Sequence, residues 1–282
     1  MKNKLELLLG EDNVNESEVS HFIKRNPVAQ AYITRSALGK AYAYARLACE
    51  VLEESVECYG FLVTPKSAKD RIVRDVYLAP NQHVSSADVK IDGESIIQSG
   101  REIDKNGYRV LGWWHSHADF DPFHSGTDDE NMMKVLNAIA ATNFVRTYTQ
   151  MPLIGGEIKV RRRGKDVEFY DSDNPGKKVR LNLDSKDFDA RDLRIVRSIT
   201  AKIPVRTGFA YSIVVNAKGD KPYCEIATKD FCWACYDGEE RSVKSRLKVV
   251  NQDAFEIDEK QIAKEIIKKI VSGGEKIKNG RK

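Results

Sequence analysis

WHSHADFDPFHSGTDD, residues 114–129, holds three of the chain's five histidines and four acidic side chains. The run that leads into it, from Tyr108 to His117, is apolar and aromatic and predicts a central β-strand. The run that follows, DDENMMKVLNAIAAT, predicts a helix that starts at Asp128, with Thr127 as its N-cap and acidic residues in its first turn. The polar residues therefore lie where a buried strand turns back into a helix.

The paired histidines of this stretch have the spacing of metal ligands. Alternate residues of a strand point to the same side of a sheet, so His115 and His117 share a side, about 7 Å apart along the strand. Asp128 can return to them after the loop. Two histidines and one carboxylate, with a fourth position for water, are the ligands of catalytic zinc sites. We therefore expect one Zn²⁺ ion, whose bound water has a pKa of about 7.

A zinc hydrolase also needs a base for the water and a hydrogen-bond donor for the oxyanion. Ser125, three residues before Asp128, carries a hydroxyl that can donate, and Glu57 stands just before the predicted strand CYGFLVT. Neither residue is diagnostic alone, because a glutamate at the start of a strand is usually a solvated surface residue. Polar residues that only cap the helix and form the turn would account for Asp128 but not for the paired histidines.

The other predicted elements alternate between helices and strands in no strict βαβ order. Strands are predicted at residues 58–64, 71–78, 157–163, 166–172, 177–183, 210–216 and 223–229, and helices at 36–54, 95–104, 188–203 and 258–271. Ser36 is the expected N-cap of the first helix. The last helix has an apolar face, packed on its own domain or on a partner, formed by Ile262, Ile266, Ile267 and Ile270. The pattern predicts an α/β or α+β fold with a mixed sheet.

Composition limits the class of protein. Hydrophobic residues make up 41% of the chain and charged residues 31%, as in soluble globular proteins. No apolar run approaches the roughly 20 residues of a membrane span, and the N-terminus lacks the cleavage site of a secretory signal. The five cysteines are too few and too irregularly spaced for a disulfide scaffold. We therefore expect a cytoplasmic protein that does not enter a membrane.

The spacing of the site residues resembles the JAMM (MPN-plus) metalloprotease motif, in which His-x-His is followed after seven residues by Ser-x-x-Asp. His115-Ser116-His117, ADFDPFH and Ser125-Gly126-Thr127-Asp128 fit that spacing without a gap. The family's upstream Glu-x-x-Gly-x-Leu is matched by Glu57 to Leu62, and GWWHSH and SIVVNAKGDKPYCEI also look similar. The resemblance covers residues 31–145 and 207–250, and it implies an α/β fold of the MPN type, with a cytidine-deaminase-like mixed sheet flanked by helices.

The resemblance also implies an activity, that of a zinc-dependent, deubiquitinase-like isopeptidase that cleaves ubiquitin or a ubiquitin-like modifier from lysine side chains. His115, His117 and Asp128 would hold the zinc ion. Glu57 would act as base and then as acid, and Ser125 would stabilise the tetrahedral intermediate. The expected partners are conjugates of the modifier, and work within a larger protease assembly is compatible with the resemblance. Many members of the family have lost these residues and serve as scaffolds, whereas this chain keeps the full set.

Two features of the loop depart from the family's pattern. Ala118 stands where a proline usually follows the second histidine, which alters the expected shape of the entrance loop. Four further side chains of the loop could bind metal, and we interpret them as loop and capping residues, with the last of them the strongest competitor of Asp128: Asp119, Asp121, His124 and Asp129.

The largest departure is the segment 146–206, because the family usually passes from the helix at Asp128 almost directly into the strand at 210–216. This segment carries 15 Lys/Arg, with Arg161, Arg162 and Arg163 in a row, against 9 Asp/Glu. A basic surface attracts acidic partners, and a solvated hairpin is the equally favoured alternative. The predicted organisation is an N-terminal extension, a catalytic domain in two parts, a basic insertion, and a C-terminal helix with a basic tail, at 1–30, 31–145 with 207–250, 146–206 and 251–282.

Two other functions stay open. A non-catalytic scaffold that binds a ubiquitin-like protein would not need the intact site residues. A metal-dependent nucleic-acid enzyme could use the basic insertion for phosphate contacts, but the chain has no nucleic-acid motif, so this function ranks last. Cys232 and Cys235 form a CxxC near Cys224; without a second pair we interpret these thiols as buried core residues rather than as a structural zinc site.

Overall fold

The structure is a computed structural model of the 282-residue chain. It describes residues 14–15, 28–85, 89–90, 93–154, 158–163, 166–173, 178–182, 199–231, 240–251 and 256–272. The chain divides into two compact units, Met1–Val145 with Thr207–Lys282, and Arg146–Arg206. The second unit has the same bounds as the basic segment. Among the described residues, no helix has the length and apolarity needed to cross a membrane.

The helices of the described residues are α1 (Arg35–Leu52), α2 (Gly93–Lys105), α3 (Gly126–Ile139) and α4 (Glu259–Lys269). The strands are β1 (Val14–Asn15), β2 (Ala31–Thr34), β3 (Tyr59–Pro65), β4 (Ile72–Val73), β5 (Asp75–Leu78), β6 (Gln82–Val84), β7 (Val89–Lys90), β8 (Tyr108–Ser116), β9 (Phe144–Ile154), β10 (Ile158–Arg163), β11 (Asp166–Asp171), β12 (Lys178–Asn182), β13 (Ile199–Val215), β14 (Tyr223–Phe231), β15 (Glu240–Lys244), β16 (Leu247–Asn251) and β17 (Ile270–Ser272).

The central sheet has the strand order β15-β14-β13-β8-β3-β5, and β9 also pairs with β13. Its middle strand, β8, runs antiparallel to β3 and parallel to β13. The sheet is therefore mixed, and α1 and α3 contribute to the two hydrophobic clusters that pack against β8. This arrangement confirms the predicted α/β fold with a mixed sheet flanked by helices.

The two tryptophans of β8 explain how the sheet directs the histidine that follows them. Trp114 is buried and stacks on Tyr44 of α1, with ring centroids 5.8 Å apart. Trp113 is also buried, but it packs with Met132 of α3 in the second cluster. Because side chains alternate along a strand, His115 lies on the same side as Trp113, which is the side of α3. The strand thus directs the first histidine toward the start of α3.

Two glycines allow the central strands to approach closely. A Cβ atom at Gly112 would lie 2.0 Å from the carbonyl oxygen of Tyr211, across the β8–β13 pair. A Cβ atom at Gly60 would lie 2.0 Å from the carbonyl oxygen of Tyr77 and 2.5 Å from the indole nitrogen of Trp114. A side chain at either position would push its strand away from these neighbours.

Two predicted helix caps were wrong. The N-cap of α1 is Thr34, whose hydroxyl accepts a hydrogen bond from the Ala37 N–H at 3.2 Å, and not Ser36. The N-cap of α3 is Ser125 and not Thr127. In both cases the cap is the residue with an extended backbone that lies far enough upstream to reach the third amide of the helix. The sequence offered two hydroxyl residues each time, and backbone geometry selected the earlier one.

The predicted strand at 71–78 is two strands in two different sheets, β4 and β5. Arg74 separates them: its guanidinium donates hydrogen bonds of 2.6 and 3.0 Å to the carboxylate of Asp70. Its N–H donates to the carbonyl of Val63 at 2.9 Å. These contacts hold Arg74 between the two strands. Residues 71–78 contain no glycine or proline, the residues that usually signal a break in a strand.

The predicted helix at 188–203 was wrong where the structure tests it. Residues 199–203 belong to strand β13, which continues into the central sheet, and residues 188–198 lie outside the described part of the chain. The β-branched and apolar residues of 199–205 fit a strand better than a helix. The three strands predicted upstream of this segment are present as β10, β11 and β12.

The last helix packs on its own domain. Its Glu265 accepts a hydrogen bond from the Tyr44 hydroxyl of α1 at 2.5 Å, and its Glu259 forms an ion pair with Arg46 at 2.7 Å. Ile262 and Ile266 are buried as predicted, and so is Ile270, which begins β17. Ile267 is 58% exposed, so its predicted place on the apolar face was wrong.

The N-terminal segment is described only in part. Val14 and Asn15 form β1, which pairs in parallel with β16, and Val28 is buried. These positions contact the body of the first unit. The remainder of the predicted extension lies outside the described residues.

The second unit contains an antiparallel sheet, β10-β11-β12. Arg161 pairs with Glu168, and residue 162 pairs with Val167. Because neighbouring positions of a strand alternate between the two faces, the backbone register assigns positions 161 and 162 to opposite faces of the sheet. Val167 is buried, whereas Arg161 is exposed. Lys159, Lys178 and Arg180 share a face with Arg161 and are exposed as well, so this is the charged face of the sheet.

Candidate functional site

Three predicted ligands converge at the junction of β8 and α3. The Nε2 atoms of His115 and His117 are 3.0 Å apart. Asp128 places Oδ1 3.2 Å from Nε2 of His115 and Oδ2 3.7 Å from Nε2 of His117. All three residues are buried. The fold therefore brings two imidazole nitrogens and one carboxylate, from two consecutive elements, to a single point.

Backbone contacts orient the second histidine. The His117 N–H donates to the carbonyl of Val215 at 3.0 Å, which extends the pairing of β8 with β13 by one residue. Its Nδ1 lies 3.2 Å from the carbonyl oxygen of Asp121. A hydrogen bond from Nδ1–H to that oxygen leaves the lone pair of Nε2 directed at the convergence point, as a metal ligand requires.

The first histidine is held by packing. The His115 ring stacks on Trp113 with centroids 4.6 Å apart and an interplanar angle of 16°. Its Nδ1 is buried and has no hydrogen-bond partner among the described residues. The position of Nε2 therefore depends on the stacked indole.

The protonation states of His115 and Asp128 suit a cation. Burial lowers the pKa of His115, which favours the neutral imidazole. Burial opposes ionisation of Asp128, but hydrogen bonds with His115 and His117 outweigh it and hold the pKa of that carboxyl well below its usual range. Burial lowers the pKa of His117, but the hydrogen bond with Asp128 and the charge of Glu57 outweigh it, so the pKa of this histidine is raised. A cation that binds here must displace any proton on His117.

The spacing of the three ligand atoms fits a small divalent cation. Ligands about 2.1 Å from a tetrahedral ion lie about 3.4 Å from one another. The observed separations of 3.0, 3.2 and 3.7 Å bracket that value. Two imidazoles and a carboxylate are also the donor set of zinc sites that keep an open coordination position. The buried side chains of His115, His117 and Asp128 therefore fit the expected zinc ion. The assignment to zinc is based on the kinds of ligand atom and their spacing.

Ser125 lies in the site, but as the cap of α3. Its hydroxyl donates to Oδ2 of Asp128 at 2.7 Å, and its N–H donates to the same oxygen at 2.8 Å. The Asp128 N–H points back to the Ser125 hydroxyl at 3.3 Å, which completes a reciprocal capping box. Ser125 therefore orients the Asp128 carboxylate. A role as donor to an oxyanion requires its hydroxyl hydrogen to turn away from Asp128.

Glu57 precedes β3 and is half-buried. Its N–H donates to the carbonyl of Ser85 at 3.0 Å, and its carboxylate is close enough to His117 to raise the pKa of that histidine. The pairing of Tyr59 with His115 across β3 and β8 explains this proximity. A residue 58 positions before the motif thus reaches the same end of the sheet as the histidines.

The loop between β8 and α3 departs from an extended path at Ala118. Its φ is 40°, in the left-handed region. Proline, which is fixed near φ −65°, cannot adopt this conformation. The loop is tied to the turn after β13: the Ala217 N–H donates to the Ala118 carbonyl at 2.8 Å and Asn216 Nδ2 donates to the Phe120 carbonyl at 2.9 Å. Alanine at this position therefore permits a backbone conformation that proline could not adopt.

The other candidate ligands of the loop divide into two kinds. Asp119 accepts a hydrogen bond from Ser55 at 2.9 Å, and Asp121 contributes its carbonyl to His117, as expected for loop residues. His124 and Asp129 instead gather with Glu225 of β14, and their ligand atoms lie within 4.8 Å of one another. Glu225 was not predicted from the sequence. Its only signal was an acidic residue within an otherwise core-like strand.

Among the described residues, neither group of metal-capable side chains includes a cysteine. Cys224 is buried, as predicted, and burial raises the pKa of its thiol. Cys58 is buried as well, and burial raises the pKa of its thiol to about 12. Both thiols are therefore protonated at neutral pH. Cys232 and Cys235 lie outside the described residues.

Comparison with known proteins agrees with this site. Residues 40–153 match a family described as prokaryotic homologs of the JAB domain. Among solved structures, the chain is similar to protein DSY2949 from Desulfitobacterium hafniense, with 18% sequence identity, over 57% of this chain and 97% of that chain, at a TM-score of 0.30. No curated protein matches the sequence. The matched residues include His115, His117 and Asp128, so this part of the chain is similar to the JAB domain.

Proposed function

We propose that the protein is a zinc-dependent isopeptidase of the JAMM type, which hydrolyses the bond between a ubiquitin-like modifier and a lysine side chain. The observation that carries the proposal is the convergence of His115, His117 and Asp128 at ligand-like distances, with Ser125 and Glu57 beside them. A protein that served only as a scaffold would have no need of two imidazole nitrogens and a carboxylate that converge in a buried place.

Each residue then has a defined task. His115, His117 and Asp128 would hold the ion, and the chemistry that zinc would supply there is a bound water with a pKa of about 7 and polarisation of a carbonyl. Glu57 takes the proton of the attacking water and passes it to the lysine amine as it leaves. Ser125 orients Asp128 and, once its hydroxyl turns, donates a hydrogen bond to the substrate oxygen that gains negative charge.

The test is cleavage of modifier–lysine isopeptide conjugates by the purified full-length chain, with and without chelator. Glu57→Gln should keep the zinc and lower turnover by about 10²–10⁴-fold, because the amide cannot accept the proton. The double variant His115→Ala/His117→Ala should hold one zinc ion fewer per chain and show no cleavage. Glu54→Gln is the matched control, since this exposed glutamate lies three positions from Glu57 and should leave turnover unchanged.

Two results would contradict the proposal. Turnover of Glu57→Gln within threefold of the unmodified chain would exclude Glu57 as the base. Binding of a modifier without cleavage of any conjugate, with zinc present, would favour the scaffold instead. Both readouts need circular dichroism of each variant to establish that its fold is kept.

A further inference from the structure

A second group of metal-capable side chains lies beside the first. His124 comes from the loop before α3, Asp129 from the first turn of α3 and Glu225 from β14. Nδ1 of His124 is 3.2 Å from Oδ1 of Asp129 and 3.4 Å from Oε2 of Glu225. None of these residues belongs to the His115–His117–Asp128 group. The two groups are neighbours, since the ring centroids of His115 and His124 are 6.2 Å apart.

The surrounding contacts hold the imidazole in place. Nε2 of His124 lies 2.6 Å from the hydroxyl of Ser212, a fully buried residue of β13. The His124 ring also packs against Trp113 and Tyr223, at centroid distances of 6.2 and 5.3 Å. Its side chain is only 3% exposed. The contact with Ser212 occupies Nε2 and leaves Nδ1 directed at the two carboxylates.

The Glu225 carboxylate is held as firmly. Its Oε1 accepts a hydrogen bond from the Tyr223 hydroxyl at 2.5 Å, and its Oε2 accepts one from Ser242 at 2.7 Å. The Glu225 side chain is 12% exposed. Asp129 differs, because its side chain is 60% exposed at the start of α3. His124 and Glu225 are therefore preorganised as ligands, and Asp129 lies on the solvent-exposed side of the group.

The chemistry of this group calls for a cation. A protonated Nδ1 has one hydrogen to donate, yet two carboxylates lie within 3.4 Å of it. Two carboxylates and one imidazole are also net negative whether or not the imidazole is protonated, in a place where two of the three side chains are largely withdrawn from water. A divalent cation contacts all three groups at once. Ligand atoms around a tetrahedral zinc ion lie about 3.4 Å apart, close to the separations observed here.

We infer that His124, Asp129 and Glu225 form a second binding site for a divalent cation of the zinc type, separate from the predicted catalytic site. An imidazole with two carboxylates suits Zn²⁺ and its first-row neighbours. The site joins the loop, α3 and β14, and its ligands His124 and Asp129 are the chain neighbours of Ser125 and Asp128. Occupancy therefore fixes the segment that carries the catalytic site. Because Asp129 is exposed, this site fills at higher zinc concentration than the first.

The experiment counts zinc ions bound to the full-length chain, by equilibrium dialysis at fixed free Zn²⁺ followed by elemental analysis. The unmodified chain should bind two ions at saturation. Asp129→Asn and Glu225→Gln should each bind one zinc ion, because an amide is a poor zinc ligand. The amide has nearly the same shape as the carboxylate it replaces, so each variant should keep the fold. His115→Ala/His117→Ala should also bind one, and that ion should be lost when Glu225→Gln is added. Glu130→Gln, the exposed neighbour of Asp129, is the control and should bind two.

The inference is overturned if the unmodified chain saturates at one ion that the His115→Ala/His117→Ala variant loses. It is also overturned if Asp129→Asn and Glu225→Gln both bind as many ions as the unmodified chain, in which case the group is an ion pair between His124 and the carboxylates. The count needs no substrate, so failure of the proposed isopeptidase activity would not affect it. Thermal unfolding of the zinc-free variants identifies any that fail to fold.

Discussion

At the scale of single residues, Ala118 shows how one position reshapes the entrance to the site. Its φ of 40° lies in a region that costs an L-residue roughly 1–2 kcal/mol. The loop accepts this cost because its carbonyls are tied to the turn after β13 by Asn216 and by the Ala217 N–H. The proline expected from the family at this position would require another path for the chain between His117 and Phe120.

We predict opposite tolerances for two substitutions of Ala118. Ala118→Gly should change the free energy of unfolding by less than about 1 kcal/mol, because relief of the left-handed strain offsets the added freedom of the unfolded chain. Ala118→Pro should destabilise by more than that, since the ring cannot reach the native φ. Urea denaturation of the zinc-free protein measures both. Equal stability of the proline variant and the unmodified chain would show that the loop does not need the left-handed residue.

At the scale of elements, the start of α3 combines a structural and a chemical task in one hydroxyl. Ser125 caps the helix and bonds the Asp128 carboxylate that would hold the metal. The capping box explains why the serine and the aspartate are three positions apart, since N-cap and N3 are the positions that satisfy each other. The same spacing is the one that the metalloprotease motif requires.

Substitutions at Ser125 should separate these two tasks. Ser125→Ala should lose about 1 kcal/mol of stability, whereas Ser125→Gly should lose only a few tenths. Neither has a hydroxyl, so both should lower kcat on a modifier conjugate by about 10²–10³-fold if the hydroxyl stabilises the oxyanion. Ser125→Thr keeps cap and hydroxyl and should retain most of the activity. Thr127→Ala, at the position first expected to be the cap, should leave stability within about 0.5 kcal/mol.

If Ser125→Gly instead retains the kcat of the unmodified chain, the hydroxyl acts only as a cap. Zinc content, measured on the same samples, distinguishes a lost donor from a lost metal ligand. A variant that loses zinc together with activity would place the effect on the orientation of Asp128.

The central sheet also contributes to the site through Gly112, three residues before His115. We predict that Gly112→Ala destabilises the protein by about 1–3 kcal/mol or more, because its Cβ would meet the Tyr211 carbonyl at 2.0 Å. It should also weaken zinc binding, since β8 positions both histidines. Gly100→Ala is the matched control: nothing lies within 4 Å of its Cβ in α2, so it should stabilise by about 0.5–1 kcal/mol. Chemical denaturation with a zinc titration tests both variants, and a stable Gly112→Ala would contradict the close approach.

At the scale of the whole molecule, the second unit has a net positive charge, with 15 Lys/Arg against 9 Asp/Glu, whereas the rest of the chain has 31 Lys/Arg against 33 Asp/Glu. Four exposed cations lie on one face of its sheet, around Glu168 and Tyr170: Lys159, Arg161, Lys178 and Arg180. Arg180 pairs with the buried Glu168 at 2.5 Å, and the other three contribute a net positive face. Charge reversal of residues on this face alone therefore gives the sharper test.

We predict that Lys159→Glu/Arg161→Glu raises KM for an acidic modifier conjugate and leaves kcat unchanged, because exposed charges act mainly on association. The effect should shrink as salt rises, since the Debye length falls to about 8 Å near physiological ionic strength. Lys260→Glu/Lys264→Glu, on the exposed side of α4, is the charge-matched control. Kinetics at two salt concentrations give the answer. An unchanged KM at low salt would show that this face is a solvated surface that does not contribute to substrate binding.

The sequence was sufficient for what depends on neighbours in the chain. A strand, a short loop and a helix start carry His115, His117 and Asp128, and their spacing alone predicted the group that the structure brings together. The alternation of β8 predicted which side the histidines face, and the three strands of the second unit were recognisable from their patterns. Local periodicity is enough for such features because each contact that forms them spans only a few residues.

Other features required the folded chain. His124 contacts Ser212, 88 positions away, and meets Glu225 on a third element, so no spacing in the sequence could reveal that group. The choice of Ser125 over Thr127 as cap, the division of residues 71–78 between two sheets and the left-handed Ala118 likewise depend on partners that folding supplies. Local patterns state which conformations a segment can adopt. Long-range hydrogen bonds and packing select among them, because the free-energy differences between those local alternatives are small.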